Sequence, residues 1–217
     1  MTARVRVDCH LHTVASGDSV LRAEDLIARA RSAGIDVVAV TDHHEIAIAQ
    51  RLAADRDLRV IVGEEIRTPD GELLGLFLTE RIPYVLPVDE VIDRIHDQGG
   101  LVCLPHPFDP ERASVGAIAE RLCESGRVDA IEVFNAKART ALVNERAAEL
   151  ARRYGLPGIA GSDAHDPDGV GAAYLEMPDS RTAQEFLAGL AHARVVGTLR
   201  PHARRYPAGA PTPVRPE

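Results

Sequence analysis

The sequence contains no tryptophan and few aromatic residues of any kind. Aromatics make up 4% of the 217 residues, whereas the hydrophobic fraction as a whole reaches 45%. A core with few large rings has to be assembled from Ala, Val, Leu and Ile, and that composition suits repeated layers of strands and helices. The length fits one domain with a substantial core.

Cysteine is also scarce. Cys9, Cys103 and Cys123 are odd in number and widely spaced, and the sequence has no C-x-x-C pair, which excludes a disulfide framework. No apolar run approaches the roughly 20 residues needed to span a bilayer, and the first dozen residues lack the order of a signal peptide. We therefore expect a cytoplasmic protein with no membrane partner.

Positive charge is in deficit, because 25 Lys and Arg face 33 Asp and Glu and give a formal net charge of -8. An acidic surface repels both nucleic acid and anionic membranes. We therefore expect no extended nucleic-acid surface, whereas a small phosphorylated substrate stays compatible if cations are focused locally. The sequence gives no indication of oligomeric state.

Short apolar runs alternate with helical patterns over residues 1–199, which we predict to be one domain. "DVVAVTD" precedes an Ala-rich helix near 46–54, and Thr182 and Glu185 have the spacing of a capping box. This alternation predicts an α/β fold with parallel strands, either a closed barrel of seven or eight units or an open doubly wound sheet. The G-x-G-x-x-G turn typical of the open sheet is missing after the first strand. Residues 200–217 hold five prolines and no apolar periodicity, so we predict a Pro/Arg-rich C-terminal tail, whose composition is compatible with disorder.

Histidines concentrate at the ends of the predicted strands. Six of the nine lie at or just after a C-terminal strand end: His10, His12, His43, His44, His106 and His165. Carboxylates accompany them, namely Asp42, Glu64, Glu65, Glu132 and Asp163. In a parallel barrel such strand ends meet at one rim, where the active sites of these barrels lie.

Each motif also has a purely structural interpretation. "HLH" is common by chance, "TDHH" could be a helix start capped by Asp42, and "PHPF" could be a stiff turn. With "GEEI" and "SDAH" there are five such motifs at five strand ends. One shared cause explains all five better than five separate structural roles do. Imidazole and carboxylate ligands without thiolate suit Zn, Mn or Fe in a hydrolytic site, so the sequence predicts a metal centre.

Period-two alternation in the first strand predicts where its side chains point. It places two triads on opposite faces: Asp8, His10 and His12 toward the barrel interior, and Val7, Cys9 and Leu11 toward the helices. Cys9 is therefore not expected to be a ligand.

The ordered motifs "DCHLHTVASGDS", "AVTDHHE", "VGEEI", "PHPF", "EVFN" and "GSDAH" resemble those of the polymerase and histidinol phosphatase (PHP) family. The resemblance implies a distorted (β/α)7 barrel with two or three divalent metal ions (Mn, Zn or Fe) at the strand ends. The ligands that it implies are His10, His12, Asp18, His43, Glu65, Glu72, His106, Asp163 and His165. Glu65 matches a carboxylate that bridges two metals, and Glu72 stands where many members have His. Asp8, Glu132 and Asn135 are expected to support the ligands.

The resemblance also implies a metal-dependent phosphoesterase that hydrolyses a small phosphate monoester or a nucleotide or oligonucleotide phosphate. We expect a hydroxide between the metals bridged by Glu65 to attack phosphorus, with His44 or another acid at the rim as proton donor to the leaving oxygen. The alternative for His44 is a neighbouring surface position without a role. Lys137 and Arg139 are candidates for substrate binding, with a solvated helix start as the alternative. Two other functions stay open: an amidohydrolase-type C–N hydrolase, and a metal-stabilised binding module without turnover.

Overall fold

The computed structural model describes residues 3–55 and 57–204. Within them, nine strands are β1 (Arg4–Leu11), β2 (Val37–Val40), β3 (Arg59–Thr68), β4 (Gly71–Leu76), β5 (Leu101–Leu104), β6 (Ala130–Asn135), β7 (Gly158–Gly161), β8 (Ala173–Pro178) and β9 (Arg194–Gly197). Six α-helices are α1 (Ala23–Ala33), α2 (Ala47–Ala54), α3 (Val88–Asp97), α4 (Ala119–Glu124), α5 (Ala141–Tyr154) and α6 (Ala183–Leu190). Most of the predicted tail, from residue 205 onward, lies outside the described residues.

The strands form one sheet in the order β7-β6-β5-β4-β3-β2-β1-β8-β9. β1, β2 and β3 pair in parallel, as do β5, β6 and β7, and β4 runs antiparallel between the two sets. The sheet nearly closes, because Ala164, just after β7, forms a parallel bridge with Leu11 at the end of β1. Seven strands thus make a distorted barrel, as the sequence predicted, and not an open doubly wound sheet.

Three apolar clusters hold the layers together. The interior cluster takes side chains from every strand from β1 to β8 and is closed at the bottom by Phe186 of α6, which is 1% exposed. The two outer clusters pack α1 and α2 against β1 and β2, and α3, α4 and α5 against β3 to β6. Leu, Ile, Val and Ala supply most of this packing, as the composition predicted.

The predicted alternation in β1 is wrong over part of the strand. Val7 and Cys9 belong to the interior cluster, whereas Leu11 packs in the outer cluster with α1. The register with β2 shifts between Asp8 and Leu11. This irregularity lets Cys9 and then His10 both face inward, so the strand is apolar below the irregularity and carries histidines above it.

The hairpin of β3 and β4 brings the two glutamates of the implied metal site to the same end of the barrel. Glu65 pairs with Leu74, and Arg67 pairs with Glu72. Gly71, at φ 135°, makes the turn, where an added Cβ would lie 2.7 Å from the Val115 amide nitrogen. Only glycine fits this turn without strain.

The chain after β7 departs from a simple alternation of strands and helices. β8 runs antiparallel to β1, and β9 runs antiparallel to β8; the sequence analysis had not identified β8. The capping box before α6 is confirmed, since Thr182 accepts from the Glu185 amide at 3.2 Å. Among the helices of the described ranges, none has the length and apolarity to cross a membrane.

Candidate metal centre

The upper rim of the barrel gathers ten side chains with metal-binding donor atoms. They form four groups, and the donor atoms within each group lie within 4.8 Å of one another. The groups are His12, Asp18, His43 and His165; His10, His12 and Asp163; His10, His106 and Glu132; and Glu65, Glu72 and His106. All nine side chains of the implied ligand set are among them, and Glu132 is the tenth.

His10 and His12 face each other through their Nε2 atoms, which are 3.0 Å apart. The opposite nitrogens are engaged, because His10 Nδ1 lies 3.0 Å from Glu132 Oε1 and His12 Nδ1 lies 2.9 Å from Ser16 Oγ. When Nδ1 carries the proton and donates, the Nε2 lone pairs of both rings point at one place. Support of this kind is typical of metal-ligating histidines.

Ser16 and Asp42 fix the tautomer of His12. The Ser16 hydroxyl donates to Asp42 Oδ1 at 2.8 Å and accepts from the His43 amide at 3.0 Å. It is therefore an acceptor toward His12 Nδ1. Asp42 also accepts from the Thr13 amide and hydroxyl, both at 2.6 Å. Asp42 thus anchors the loop after β1 and does not cap α2.

Glu65 lies at the middle of the cluster and is 1% exposed. Its Oε1 is 3.0 Å from His106 Nε2. Its Oε2 is 3.1 Å from His12 Nε2 and 3.4 Å from His43 Nδ1. The two oxygens therefore face different groups of donors, which is the geometry required of a bridging carboxylate.

Asp163, just after β7, brings a second buried carboxylate to the cluster. Its Oδ2 accepts from Arg112 Nη1 and from Asn135 Nδ2. Its Oδ1 is buried and has no hydrogen-bond partner among the residues that the structure describes. That oxygen lies 3.6 Å from His12 Nε2 and 3.8 Å from Lys137 Nζ. It is thus free to accept a cation.

Two further groups of donor atoms lie beside the carboxylates of Glu65 and Asp163. Asp18 Oδ2 lies 3.6 Å from His43 Nε2 and 3.4 Å from His165 Nε2. On the other side Glu72, 4% exposed, shares a group with Glu65 and His106. Its Oε1 is also held by Arg67 at 3.0 Å.

The electrostatics of the cluster fit divalent cations. Burial opposes ionisation of Asp163, but Arg112 and Lys137 keep its pKa well below its usual range. Burial also opposes a charge on His10, yet Glu132 and Glu65 raise its pKa well above the usual value. In the protein alone a proton supplies positive charge beside these carboxylates. A cation bound by the Nε2 lone pairs would supply it instead. The donor set therefore fits the implied metals.

Asp8 and Gly161 support the centre without joining it. Asp8 accepts from the amides of Ser162 at 2.9 Å and Gly171 at 3.3 Å, and burial raises its pKa to about 6. A Cβ added at Gly161 would lie 2.3 Å from the Cβ of His10. Glycine at this position lets β7 approach β1 closely, as closure of the barrel requires.

The other candidate residues lie in different surroundings. Lys137 is brought to the centre, where its Nζ is 2.8 Å from His165 Nδ1. Arg139 is not, because its Nε pairs with Glu111 at 3.1 Å and its Nη1 donates to the carbonyl of Pro201. His44 lies at the rim, at φ 56°, with its ring 4.6 Å from that of Tyr84.

Sequence reasoning missed two residues of the centre. Ser16 follows His12 by four residues, and a hydroxyl so close to the motif was a signal that could have been used. Arg112 comes from the long segment between β5 and α4 and had no local signal at all. Its Nη2 is buried and lacks a hydrogen-bond partner within the described part of the chain.

Comparison with known families gives matches over most of the chain. The sequence profile of the PHP domain matches residues 8–155, and the PHP-associated profile matches residues 141–195. An uncharacterized protein of Methanocaldococcus jannaschii is 37% identical over 194 residues, which are 84% of this chain and 78% of that protein.

Solved structures share the fold. A two-domain protein of Bacteroides vulgatus, described as containing a predicted PHP-like metal-dependent phosphoesterase, matches with a TM-score of 0.69 and 18% identity, over 91% of this chain and 66% of that one. The lesion-specific endonuclease Q of Pyrococcus furiosus matches with a TM-score of 0.70 and 18% identity, over 92% of this chain and 60% of that one. This chain is therefore comparable with only part of each of those longer proteins.

The prediction of no extended nucleic-acid surface is wrong. Endonuclease Q has been solved with a 27-mer duplex substrate that carries an abasic lesion at the active site, and that structure matches with a TM-score of 0.68 and 15% identity, over 88% of this chain and 57% of that one. The prediction relied on net charge, which sums over the whole surface. Binding of phosphates depends on local cations, so the net charge did not justify the exclusion.

Proposed function

The chain belongs to the PHP domain family, whose members include metal-dependent phosphoesterases, and from this premise we propose that it hydrolyses phosphate esters with two or three divalent cations at the barrel rim. The observation that carries the proposal is the position of Glu65. Its two carboxylate oxygens face separate donor groups, His106 on one side and His12 with His43 on the other.

The ligand set divides among the implied ions in a way that follows these contacts. We propose His10, His12 and Asp163 for one ion, with Glu65, Glu72 and His106 for a second. The group that contains Asp18, His43 and His165 would hold a third. When bound, Mn, Zn or Fe in such a site polarises the phosphoryl group and lowers the pKa of a water molecule to about 7, which provides the nucleophile at neutral pH.

Two cations of the protein itself are suited to bind the substrate phosphate. Arg112 lies beside Asp163 and its Nη2 has no hydrogen-bond partner within the described ranges, and Lys137 lies 3.8 Å from the same carboxylate. A guanidinium that is already oriented by one carboxylate has little freedom to lose when it donates to a phosphoryl oxygen. We therefore propose Arg112 with Lys137 as the phosphate-binding pair. Arg139 is paired on the surface and is not included.

His44 is proposed to donate a hydrogen bond to the leaving oxygen. Its ring centroid lies 6.1 Å from that of His43, and its Nδ1 is buried without a partner among the described residues. Burial, followed by the neighbouring His43, lowers its pKa to about 4. At neutral pH the ring is therefore uncharged and would act as a neutral hydrogen-bond donor, a role known for imidazole in other enzymes.

The alternatives have less support. An amidohydrolase-type C–N hydrolase commonly bridges its metals through a carbamylated lysine, but here Glu65 takes the central position and Lys137 contacts His165 at the periphery. A binding module without turnover does not require so complete a set of buried donors. The ester itself is open between a monoester and a nucleotide or oligonucleotide phosphate. Since endonuclease Q shares the fold, a DNA phosphodiester belongs among the substrates to be tested.

The test is an assay of Mn-loaded protein on three probes: p-nitrophenyl phosphate, bis(p-nitrophenyl) phosphate and a duplex oligonucleotide with an abasic site. We expect hydrolysis of at least one, and loss of both metal content and activity in His12→Ala. His96→Ala is the matched control, because His96 pairs with Asp129 away from the rim. Fully metal-loaded protein with no turnover on any probe, or His12→Ala with unchanged activity, contradicts the proposal.

A further inference from the structure

A half-open cavity lies at the end of the barrel opposite the metal centre. Its volume is about 260 Å³. It opens between the beginnings of β2 and β3 and the loop before α6, and its apolar wall includes Val7, Val37, Ile61, Phe77 and Phe186. The volume is near the lower limit of about 300 Å³ for small-molecule sites, so it suits a ligand with one ring or a short chain.

The polar side of this cavity is positively charged. Arg59 and Arg181 line it, and its lining includes no acidic residue. Asp179, beside the cavity, pairs with both arginines, through Arg59 Nη1 at 2.6 Å and Arg181 Nη2 at 3.1 Å. Glu185 is occupied by the backbone amides of Arg181 and Thr182. Two guanidinium groups thus share one carboxylate.

Arg59 has donors to spare. Its Nε and Nη2 are buried and have no hydrogen-bond partner among residues 3–55 and 57–204. Buried N–H groups of a charged side chain are costly to leave unpaired. Both atoms are closed to solvent in this structure, so an anionic oxygen in the cavity would pair with them in the fork geometry of a guanidinium once the Arg59 side chain turned toward it.

The apolar wall is built under backbone strain. Phe77 has φ 62°, a conformation that a bulky side chain rarely adopts, and its ring packs on Phe186 at 5.5 Å between centroids. Of the other four non-glycine residues with positive φ in the described chain, His106 and Asp163 belong to the metal centre and His44 lies at its rim. Strain of this kind is retained where the surroundings fix it, which is often at a binding site.

We propose that this cavity binds a small carboxylate with an apolar body, at a site separate from the metal centre. The carboxylate would pair with Arg59 and Arg181, and the apolar body would pack against Ile61, Phe77 and Phe186. A monoanion fits better than a phosphate dianion, because the pair of guanidiniums and Asp179 together leave one positive charge. This site does not depend on the proposed function.

The test is a titration of the metal-loaded full chain with benzoate, followed by NMR signals of Val37, Ile61 and Phe77. We expect saturable shifts at these residues, weaker binding of phenylphosphonate, and no comparable shifts with benzyl alcohol, which lacks the charge. Arg59→Gln should weaken benzoate binding by about tenfold or more, since hydrogen bonds to charged groups contribute at least about 1.5 kcal/mol. Shifts confined to the metal centre, such as at His12, would overturn the proposal.

Two further variants keep the test decisive. Arg194→Gln is the matched control, because Arg194 forms an exposed ion pair with Glu176 away from the cavity; it should bind benzoate within twofold of the unmodified chain. Arg181→Gln removes an exposed side chain that is 68% accessible and should fold even if Arg59→Gln does not. Unchanged benzoate affinity in both Arg59→Gln and Arg181→Gln, or in Arg181→Gln alone if the first variant is unfolded, refutes the site.

Discussion

Replacing Glu132 by glutamine should weaken metal binding although Glu132 is an outer support in the proposed ligand assignment. Its Oε2 accepts two hydrogen bonds, from the His106 amide at 2.7 Å and from Asn135 Nδ2 at 3.0 Å, and its Oε1 faces His10 Nδ1 at 3.0 Å. The amide oxygen of Gln would take the position with two donors. Its NH2 group would then face His10 Nδ1, which would have to accept.

The change of His10 Nδ1 from donor to acceptor determines how much metal affinity is lost. A His10 ring that accepts at Nδ1 carries its proton on Nε2 and cannot bind a cation there. Loss of such a support typically lowers metal affinity by about 10- to 100-fold, which corresponds to about 1.4 to 2.7 kcal/mol. Titration calorimetry of metal-stripped Glu132→Gln with Mn measures the change directly.

Glu64→Gln, on strand β3, provides the matched control. Glu64 is buried, but its Oε2 accepts from the Ile82 amide and it belongs to none of the four donor groups of the described chain. Burial raises its pKa to about 8, so it is mostly neutral at pH 7 and Gln resembles it closely. If Glu132→Gln binds Mn as tightly as Glu64→Gln does, the tautomer argument is refuted.

Three other predictions test separate parts of the molecule. Arg112→Gln should lower kcat/KM for a phosphate ester by about 10- to 100-fold, as loss of a charged hydrogen bond implies, whereas Arg139→Gln should stay within twofold; equal effects contradict the proposed phosphate-binding pair. Gly161→Ala should lower the melting temperature and the Mn affinity together, because its Cβ would meet His10; an unchanged melting curve contradicts this. Burial raises the pKa of Glu64 to about 8 from 4.5. Its contribution to the free energy of unfolding is therefore complete below pH 4.5 and is lost as pH rises through 8, by up to about 4 to 5 kcal/mol. Glu64→Gln should abolish that part of the decline in the free energy of unfolding, measured by urea unfolding of the metal-free protein.

Local sequence signals predicted elements that depend on near neighbours. The capping box at Thr182 and Glu185 formed as expected, because both of its bonds lie within four residues. β8 was missed, because its pairing is with β1, about 170 residues away in sequence. No local pattern in "AYLEMP" indicates that partner.

In the candidate metal centre, too, local features were predicted from the sequence and features that depend on distant residues were not. The HxH motif, "GEEI" and "GSDAH" carry their donor types in the sequence, and the expectation that they meet followed from strand ends sharing one rim. The face on which Cys9 lies did not follow, because an irregularity in the β1 register interrupts the alternation. Arg112 was not recognised either, because its partner Asp163 is 51 residues away.

By itself the sequence determined which chemical groups this protein has for its rim and in which order the strands deliver them, since ligand type and strand period are local properties. Only the tertiary structure decided how these groups combine. It set Glu65 between two donor groups, turned Arg112 rather than Arg139 toward Asp163, and left two guanidiniums sharing one carboxylate beside a cavity at the far end. Those outcomes depend on how the barrel closes and where loops return, and such long-range packing is fixed by the whole chain at once.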